Sequence, residues 1–343
     1  MSYIDDIKSV SVLDLPWGKM SGKNILVTGA TGLIGSCLVD VLMNHPGQDY
    51  HVFAAGRNEA RSRKLFSRYE ESEYFHFLKF DVTEEIPYET DFHFIIAAAS
   101  GATPILYSTD PVGVMKSNFL GADNLFKYGI AHGLERFVFV SSGDVYGEGT
   151  GEVFTEESSG YVNPLALRSC YSSAKRATES LCISYAAQYD IDVSIARPCH
   201  TYGPYFTESD TRAYAQFIRN VLNDEDIVLK STGEQLRAWC YVVDSVAGLL
   251  YVLLKGSRNE AYNIADDRSV VTIRELAEMI AQIAGKRVII NAPSDTEKRG
   301  FNSVKRAVFS TEKIKALGWQ IDGDIKSKLE SVIMEVQNTK SNG

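Results

Sequence analysis

A short apolar run, Asn24–Thr28, passes directly into Gly29-Ala-Thr-Gly32-Leu-Ile-Gly35, and a helical pattern follows over Leu33–Met43. No other stretch limits the possible folds so tightly. A glycine-rich turn between a buried strand and a helix can bend sharply and lets a ligand approach the backbone. The helix N-terminus then offers free N–H groups and a favourable dipole to an anion such as a pyrophosphate. Gly35 lets the helix sit close to the sheet. The spacing is GxxGxxG, and its place at the start of a βαβ unit is the context that dinucleotide binding requires.

The rest of the first half repeats that alternation. Val52–Ala55, Phe77–Phe80, Phe94–Ala98, Phe137–Ser141 and Asp192–Arg197 read as buried strands, with helices over Asn118–His132 and Tyr171–Tyr189. Strands separated by helices imply right-handed crossovers and a parallel sheet. The expected fold is therefore α/β: a Rossmann-type doubly wound parallel sheet with a smaller α/β C-terminal substrate lobe. In that lobe Tyr214–Leu222 and Ile273–Ala284 are expected helices, and Asp226–Lys230 and Val288–Asn291 short strands. The expected divisions are a lead-in segment over 1–22, a dinucleotide-binding domain over 23–200 and a substrate lobe over 201–336. Some segments of that lobe should return to the first core. The polar tail after Val336 should fray.

Composition narrows the partners. A formal net charge of −9 makes general nucleic-acid binding a poor expectation, without excluding a local basic pocket. The five cysteines form no CxxC, which fits reduced thiols in a cytoplasm and no metal site. The first 20 residues carry Asp5, Asp6 and Asp14 and no long apolar run, so neither a signal peptide nor a membrane span is expected.

The second strand ends in Ala55-Gly56-Arg57-Asn58, with Arg61 and Arg63 nearby and no carboxylate at the tip. An acidic residue there would accept from the ribose 2′-hydroxyl of NAD, whereas an Arg accommodates the 2′-phosphate of NADP. The cofactor is thus NAD or NADP, with NADP favoured by Gly56-Arg57. Asp81 and Val82 are candidates for the adenine edge. Thr31, Leu33, Ile34, Ala97, Ala98 and Pro198 are further candidate cofactor positions. Tyr171 and Lys175, four apart on a helix, share a face. A neighbouring ammonium favours the phenolate and lowers the phenol pKa. Ser142, in Ser141-Ser142-Gly143-Asp144-Val145-Tyr146-Gly147, closes the fifth strand, where parallel sheets place ligands.

With these motifs the chain resembles the extended short-chain dehydrogenase/reductases of the NAD(P)-dependent nucleotide-sugar epimerase/dehydratase family. Arg197-Pro-Cys-His-Thr-Tyr-Gly-Pro204, Arg237-Ala-Trp-Cys-Tyr241-Val-Val-Asp244 and Leu317-Gly-Trp319 extend the likeness over nearly the whole chain. The resemblance implies that Ser142 and Tyr171 flank the C4 hydroxyl of a nucleotide-diphosphate sugar. It implies that Lys175 holds the nicotinamide ribose and that Arg237 binds the diphosphate, with Arg212, Arg299 and Arg306 as candidates to join it. His200 stands where many relatives have a substrate-contacting Asn; it is either a substrate ligand or a structural histidine. Homodimerisation through a bundle that includes the Tyr-Lys helix is also implied.

Hydride removal from C4 would give a 4-keto sugar, from which several outcomes branch. A 4,6-dehydratase of this family has an Asp-Glu pair where this chain has Gly143-Asp144, so the proton donor to the C6 oxygen is missing. Asn163–Tyr171 and Arg237–Asp244 are similar to the UDP-glucuronate decarboxylase branch, although Asp144 is one methylene shorter than the Glu found there. Asp144 is either an acid/base or a loop cap. The favoured expectation is a redox-neutral epimerase. The alternatives are decarboxylase, dehydratase, NADPH-consuming reductase and non-catalytic binding protein.

Overall fold

The computed structural model describes residues 2–149, 153–291 and 304–341. Its centre is a seven-stranded sheet in the order β10-β6-β5-β4-β1-β2-β3, every pair parallel. The strands are β1 (Asn24–Thr28), β2 (His51–Gly56), β3 (Phe75–Lys79), β4 (Phe94–Ala97), β5 (Arg136–Val140), β6 (Asp192–Pro198) and β10 (Glu260–Ile264). Alternate residues of β1 feed two cores. Ile25 and Val27 pack with α2 (Leu33–Met43) and α8 (Val242–Lys255). Leu26 packs with Leu125 and Phe126 of α5 (Pro111–Ala131) and Cys182 and Ala186 of α6 (Ser169–Tyr189). A strand covered on both faces reads as a continuous apolar run, which is why these strands, β10 excepted, were legible. The chain winds outward both ways from β1, leaving a crevice between β1 and β4 at their carboxyl ends.

The smaller lobe carries a second sheet, in which β9 (Leu236–Tyr241) pairs with β7 (His200–Tyr202), β11 (Val270–Thr272) and β13 (Arg306–Ala307). A two-stranded sheet joins β8 (Ile227–Leu229) to β12 (Val288–Ile290). The helices α7 (Ala213–Leu222) and α9 (Ile273–Ile283) pack together beside it. β10 comes from the second half of the chain yet forms the edge of the main sheet.

Three differences from the expectations have physical causes. The fifth helix begins at Pro111, seven residues before the expected Asn118, because Asp110 caps it through the Gly113 N–H and Pro111 is preset for a first turn. α8 was not expected: nearly every residue from Val242 to Leu254 is buried, so it has no amphipathic stripe. The N-terminal lead-in contains a helix, α1 (Tyr3–Ser11), closed by a Ser2/Asp5 capping box, which buries Tyr3, Ile7 and Val10 against α2 and α8. Among the described residues no helix is long and apolar enough to cross a membrane.

Candidate active site

The carboxyl ends of β1, β4, β5 and β6 open onto a cavity of about 510 Å³. One wall is backbone. Gly29 sits at φ +64°, and a Cβ there would lie 2.7 Å from the Ala98 carbonyl oxygen. A Cβ on Gly35 would lie 2.3 Å from the Gly29 carbonyl oxygen. Gly32 begins α2 without a side-chain cap, so no side chain competes for the first-turn N–H groups. Gly29, Gly32, Leu33, Ile34, Gly35, Ala98 and Pro198 all line this wall. A cradle with no room for side chains and an uncapped helix N-terminus fits a dinucleotide pyrophosphate.

The other expected cofactor residues are placed less directly. Thr31 is not among the lining residues; its carbonyl accepts from Arg61 Nε at 2.8 Å, and Arg61 Nη2 donates to the Tyr205 carbonyl at 2.8 Å. Arg61 thereby ties the glycine loop to the segment around Tyr205 and has little left for a 2′-phosphate. Arg63 pairs with Glu59 at 2.6 Å. Arg57 lines the cavity mouth and pairs with Asp81 at 3.2 Å. Asp81 also accepts from the Thr83 N–H and hydroxyl, while Val82 is buried against Gly121. Asp81, Val82 and Ala97 are not among the cavity-lining residues.

The opposite wall is made of side chains. Tyr171 and Lys175 are buried on one face of α6, with the Lys175 ammonium 5.7 Å from the Tyr171 ring centre. Lys175 donates to the Val140 carbonyl at 2.7 Å. Ser142 Oγ accepts from the Asp144 N–H at 3.1 Å and shares a hydrogen bond with the Tyr171 hydroxyl. Helix α6 is fixed to the strand ends through Glu179, which accepts from Ser141 at 2.6 Å and from Arg197 at 2.7 Å. Desolvation pulls the buried Lys175 ammonium down to about 7, with Glu179 opposing it. Burial, with Asp144 adding, pushes the Tyr171 phenol above its usual range, against the Ser142 hydrogen bond and Arg212. In the chain by itself desolvation sets the direction at Tyr171, upward rather than the expected downward.

Asp144 lies near Arg168 and Arg237; burial raises its carboxyl pKa, and the two guanidiniums oppose that. It is Ser142, not Asp144, that caps the turn Gly143–Tyr146. Arg237 is 3% exposed and donates to the carbonyls of Leu236 and Val304 at 2.8 and 2.7 Å. Among the described residues no carboxylate forms a salt bridge with it. Arg212 is held by Asp210 in a bidentate pair. His200 lines the cavity, and burial with Arg237 and Arg212 lowers its imidazole to about 3, so it is neutral. Its Nδ1 is buried without a partner among the described residues. Arg306 is exposed on β13 and is not among the lining residues; Arg299 lies outside the described residues.

Sequence reasoning missed Tyr107, Arg168, Trp239 and Phe309. Tyr107 stacks on Tyr171 at 5.1 Å, and the Arg168 guanidinium lies 5.7 Å over Tyr107. Arg168 had a signal, its place three residues before Tyr171. Tyr107 and Phe309 had none, because nothing local marks a residue that long-range packing brings in.

Residues 25–265 match the model of the NAD dependent epimerase/dehydratase family. The chain belongs to that family. This epimerase/dehydratase-family member is 34% identical over 284 residues to UDP-glucuronic acid decarboxylase 6 of Arabidopsis thaliana, covering 81% of this chain and 80% of that protein. Its fold is shared with the UDP-glucose 4-epimerase of Thermotoga maritima, solved with UDP-glucose, at TM-score 0.79 and 24% identity over 92% of this chain and 99% of that one. It is shared as well with the dTDP-glucose 4,6-dehydratase DesIV of Streptomyces venezuelae, solved with NAD bound. The TM-score there is 0.81 at 22% identity, over 93% of this chain and 98% of that one.

Proposed function

We propose that this family member modifies a nucleotide sugar in a redox-neutral reaction through a 4-keto intermediate, with 4-epimerisation as the outcome. The observation that carries this is the convergence of Ser142, Tyr171 and Lys175 across one cavity from the glycine cradle. A bound nicotinamide would supply the chemistry of taking hydride from C4 and returning it. Ser142 orients the C4 hydroxyl, and Tyr171 takes its proton and later gives it back. Lys175 holds the cofactor ribose in place of the Val140 carbonyl. Arg237, which no carboxylate among the described residues meets in a salt bridge, takes the diphosphate by charge-assisted hydrogen bonds, with Arg212 beside it. Epimerisation asks for no carboxylate beyond these groups.

Decarboxylation of a UDP-hexuronate is the second reading. Relatives that are UDP-glucuronic acid decarboxylases favour it, as does the pair Arg168 and Arg237 beside Asp144, an arrangement that suits a substrate carboxylate. NADP in place of NAD rests on Arg57 alone, since Arg61 and Arg63 are engaged elsewhere. A homodimer is supported by Val112, Met115 and Phe119, exposed at helical spacing on α5, with Ile183 exposed on α6. A Phe119→Glu variant that elutes at the same size as wild type would count against that face.

Native mass spectrometry of the purified protein tests the cofactor, and NMR of incubations with UDP-glucose, UDP-xylose and UDP-glucuronate tests the reaction. Expected are a retained dinucleotide, a C4-inverted sugar without added cofactor, and loss of turnover by about a thousandfold in Tyr171→Phe. Release of CO2 from UDP-glucuronate would select the second reading. A strict need for added NADPH in every turnover would overturn both.

A further inference from the structure

Gly143 stands where a larger side chain would project into the cavity beside Ser142, and the fold explains its absence. A Cβ on Gly143 would lie 2.5 Å from Cζ and 2.7 Å from Cε1 of Phe309. The Phe309 ring therefore rests on the Gly143 Cα and takes the volume that any side chain at 143 would need. Phe309 is 3% exposed and still lines the cavity that holds Ser142, Asp144 and Tyr171. It is fixed from behind. The Phe154 N–H donates to the Val308 carbonyl, and the Ser310 N–H donates to the Phe154 carbonyl, both at 2.8 Å. Its ring packs on Tyr146 and Phe154 with centroids 5.8 and 5.9 Å away, and those two rings stack at 4.9 Å. A ring wedged among aromatic neighbours cannot swing aside without opening a void.

We propose that Phe309, seated on Gly143, is a specificity-determining residue. It limits the recess beside Ser142 and selects nucleotide sugars whose substituent next to the oxidised carbon is small. The inference rests on the proposed reading of the cavity as a nucleotide-sugar site. A hydrogen there fits against the ring face. A hydroxymethyl or carboxylate group on that side must press on the ring, which itself offers no hydrogen bond.

Calorimetric titration of the cofactor-loaded protein with UDP-xylose, UDP-glucose and UDP-glucuronate tests this without depending on turnover. These sugars carry hydrogen, hydroxymethyl and carboxylate on the carbon beside C4. Wild type should bind UDP-xylose at least about tenfold more tightly than the other two, and Phe309→Ala should bring the ratios to within about threefold. Phe309→Leu should move them the same way by less, and it serves if the alanine variant does not fold. Gly143→Ala should weaken binding in the wild-type background and be tolerated with Phe309→Ala, because the clash is removed. Unchanged ratios in both Phe309 variants, or a parallel loss for all three sugars, would overturn the proposal as ordinary core packing. Selective binding without turnover would instead count against the proposed reaction and leave the recess intact. Failure of all three sugars to bind wild type would overturn both.

Discussion

The two walls of the cavity are built in opposite ways. The wall proposed for the cofactor comes mainly from consecutive residues, Gly29 to Gly35, with Ala98 and Pro198 beside them, and works through what it lacks: at Gly29 and Gly35 there is no room for a Cβ. The wall proposed for the sugar is assembled from side chains of distant segments, Ser142, Arg168, Tyr171, His200, Arg237 and Phe309, which only the folded chain brings together. A wall made of backbone has few ways to adapt, so a single added methyl should damage it broadly. A wall made of side chains should lose one function at a time.

Gly29→Ala is expected to have the largest effect. The new Cβ meets the Ala98 carbonyl at 2.7 Å, and φ +64° adds left-handed strain of about 1–2 kcal/mol to overpacking of about 1–3 kcal/mol. Cofactor retention should fall by about a hundredfold or more, read by dinucleotide titration. A variant that purifies with its full complement of cofactor would break the contrast. Arg237→Leu is the matching test of the other wall. Removing a buried guanidinium from a diphosphate site should weaken UDP binding by about tenfold to a hundredfold while the cofactor stays bound. Loss of both ligands together would show that the walls are not independent.

The same contrast explains what could be read in advance. Strand β1 and helix α2 coincide with their expected limits because buried parallel strands and glycine turns have local signatures. The Tyr171–Lys175 pair was legible for the same reason, since helical spacing puts both on one face. α8 and β10 were not. The first is apolar all round and so has no period, and the second opens on Glu260-Ala261 before reaching its buried end. Phe309 and Tyr107 enter the cavity through packing across distant segments, which no spacing rule reports. Burial, which pushes the Tyr171 phenol up, is not visible in the spacing to Lys175.

His200 sharpens the comparison on the sugar side. Burial lowers its folded pKa to about 3, against about 6.5 in the unfolded chain. As pH falls below 6.5 the unfolded chain binds a proton that the native state refuses, so stability is lost on acidification. Over two pH units the loss approaches about 2 kcal/mol. His200→Asn should flatten that part of the profile, measured by urea midpoints between pH 7.5 and 4.5. An unchanged slope would mean that His200 protonates in place. Arg61→Ala tests the seam between the walls, because its guanidinium links the Thr31 and Tyr205 carbonyls. Loss of two hydrogen bonds to a charged group should raise KM for the sugar by about tenfold with kcat little changed, and Arg61→Lys should recover part of it. Equal loss of kcat would point to general destabilisation instead.

Arg57→Ala should do least. The ion pair with Asp81 is 79% exposed on the arginine side, and exposed pairs contribute about 0–1 kcal/mol. Thermal stability should therefore hardly move. The informative reading is the ratio of NADP to NAD affinity. If Arg57 meets a 2′-phosphate, it must give up Asp81 to do so, and the alanine variant should lose NADP affinity several-fold while NAD affinity stays level. If the ratio does not change, Arg57 serves the surface alone, and the tip of β2 contributes shape rather than charge to the cofactor wall, as the glycines before it do.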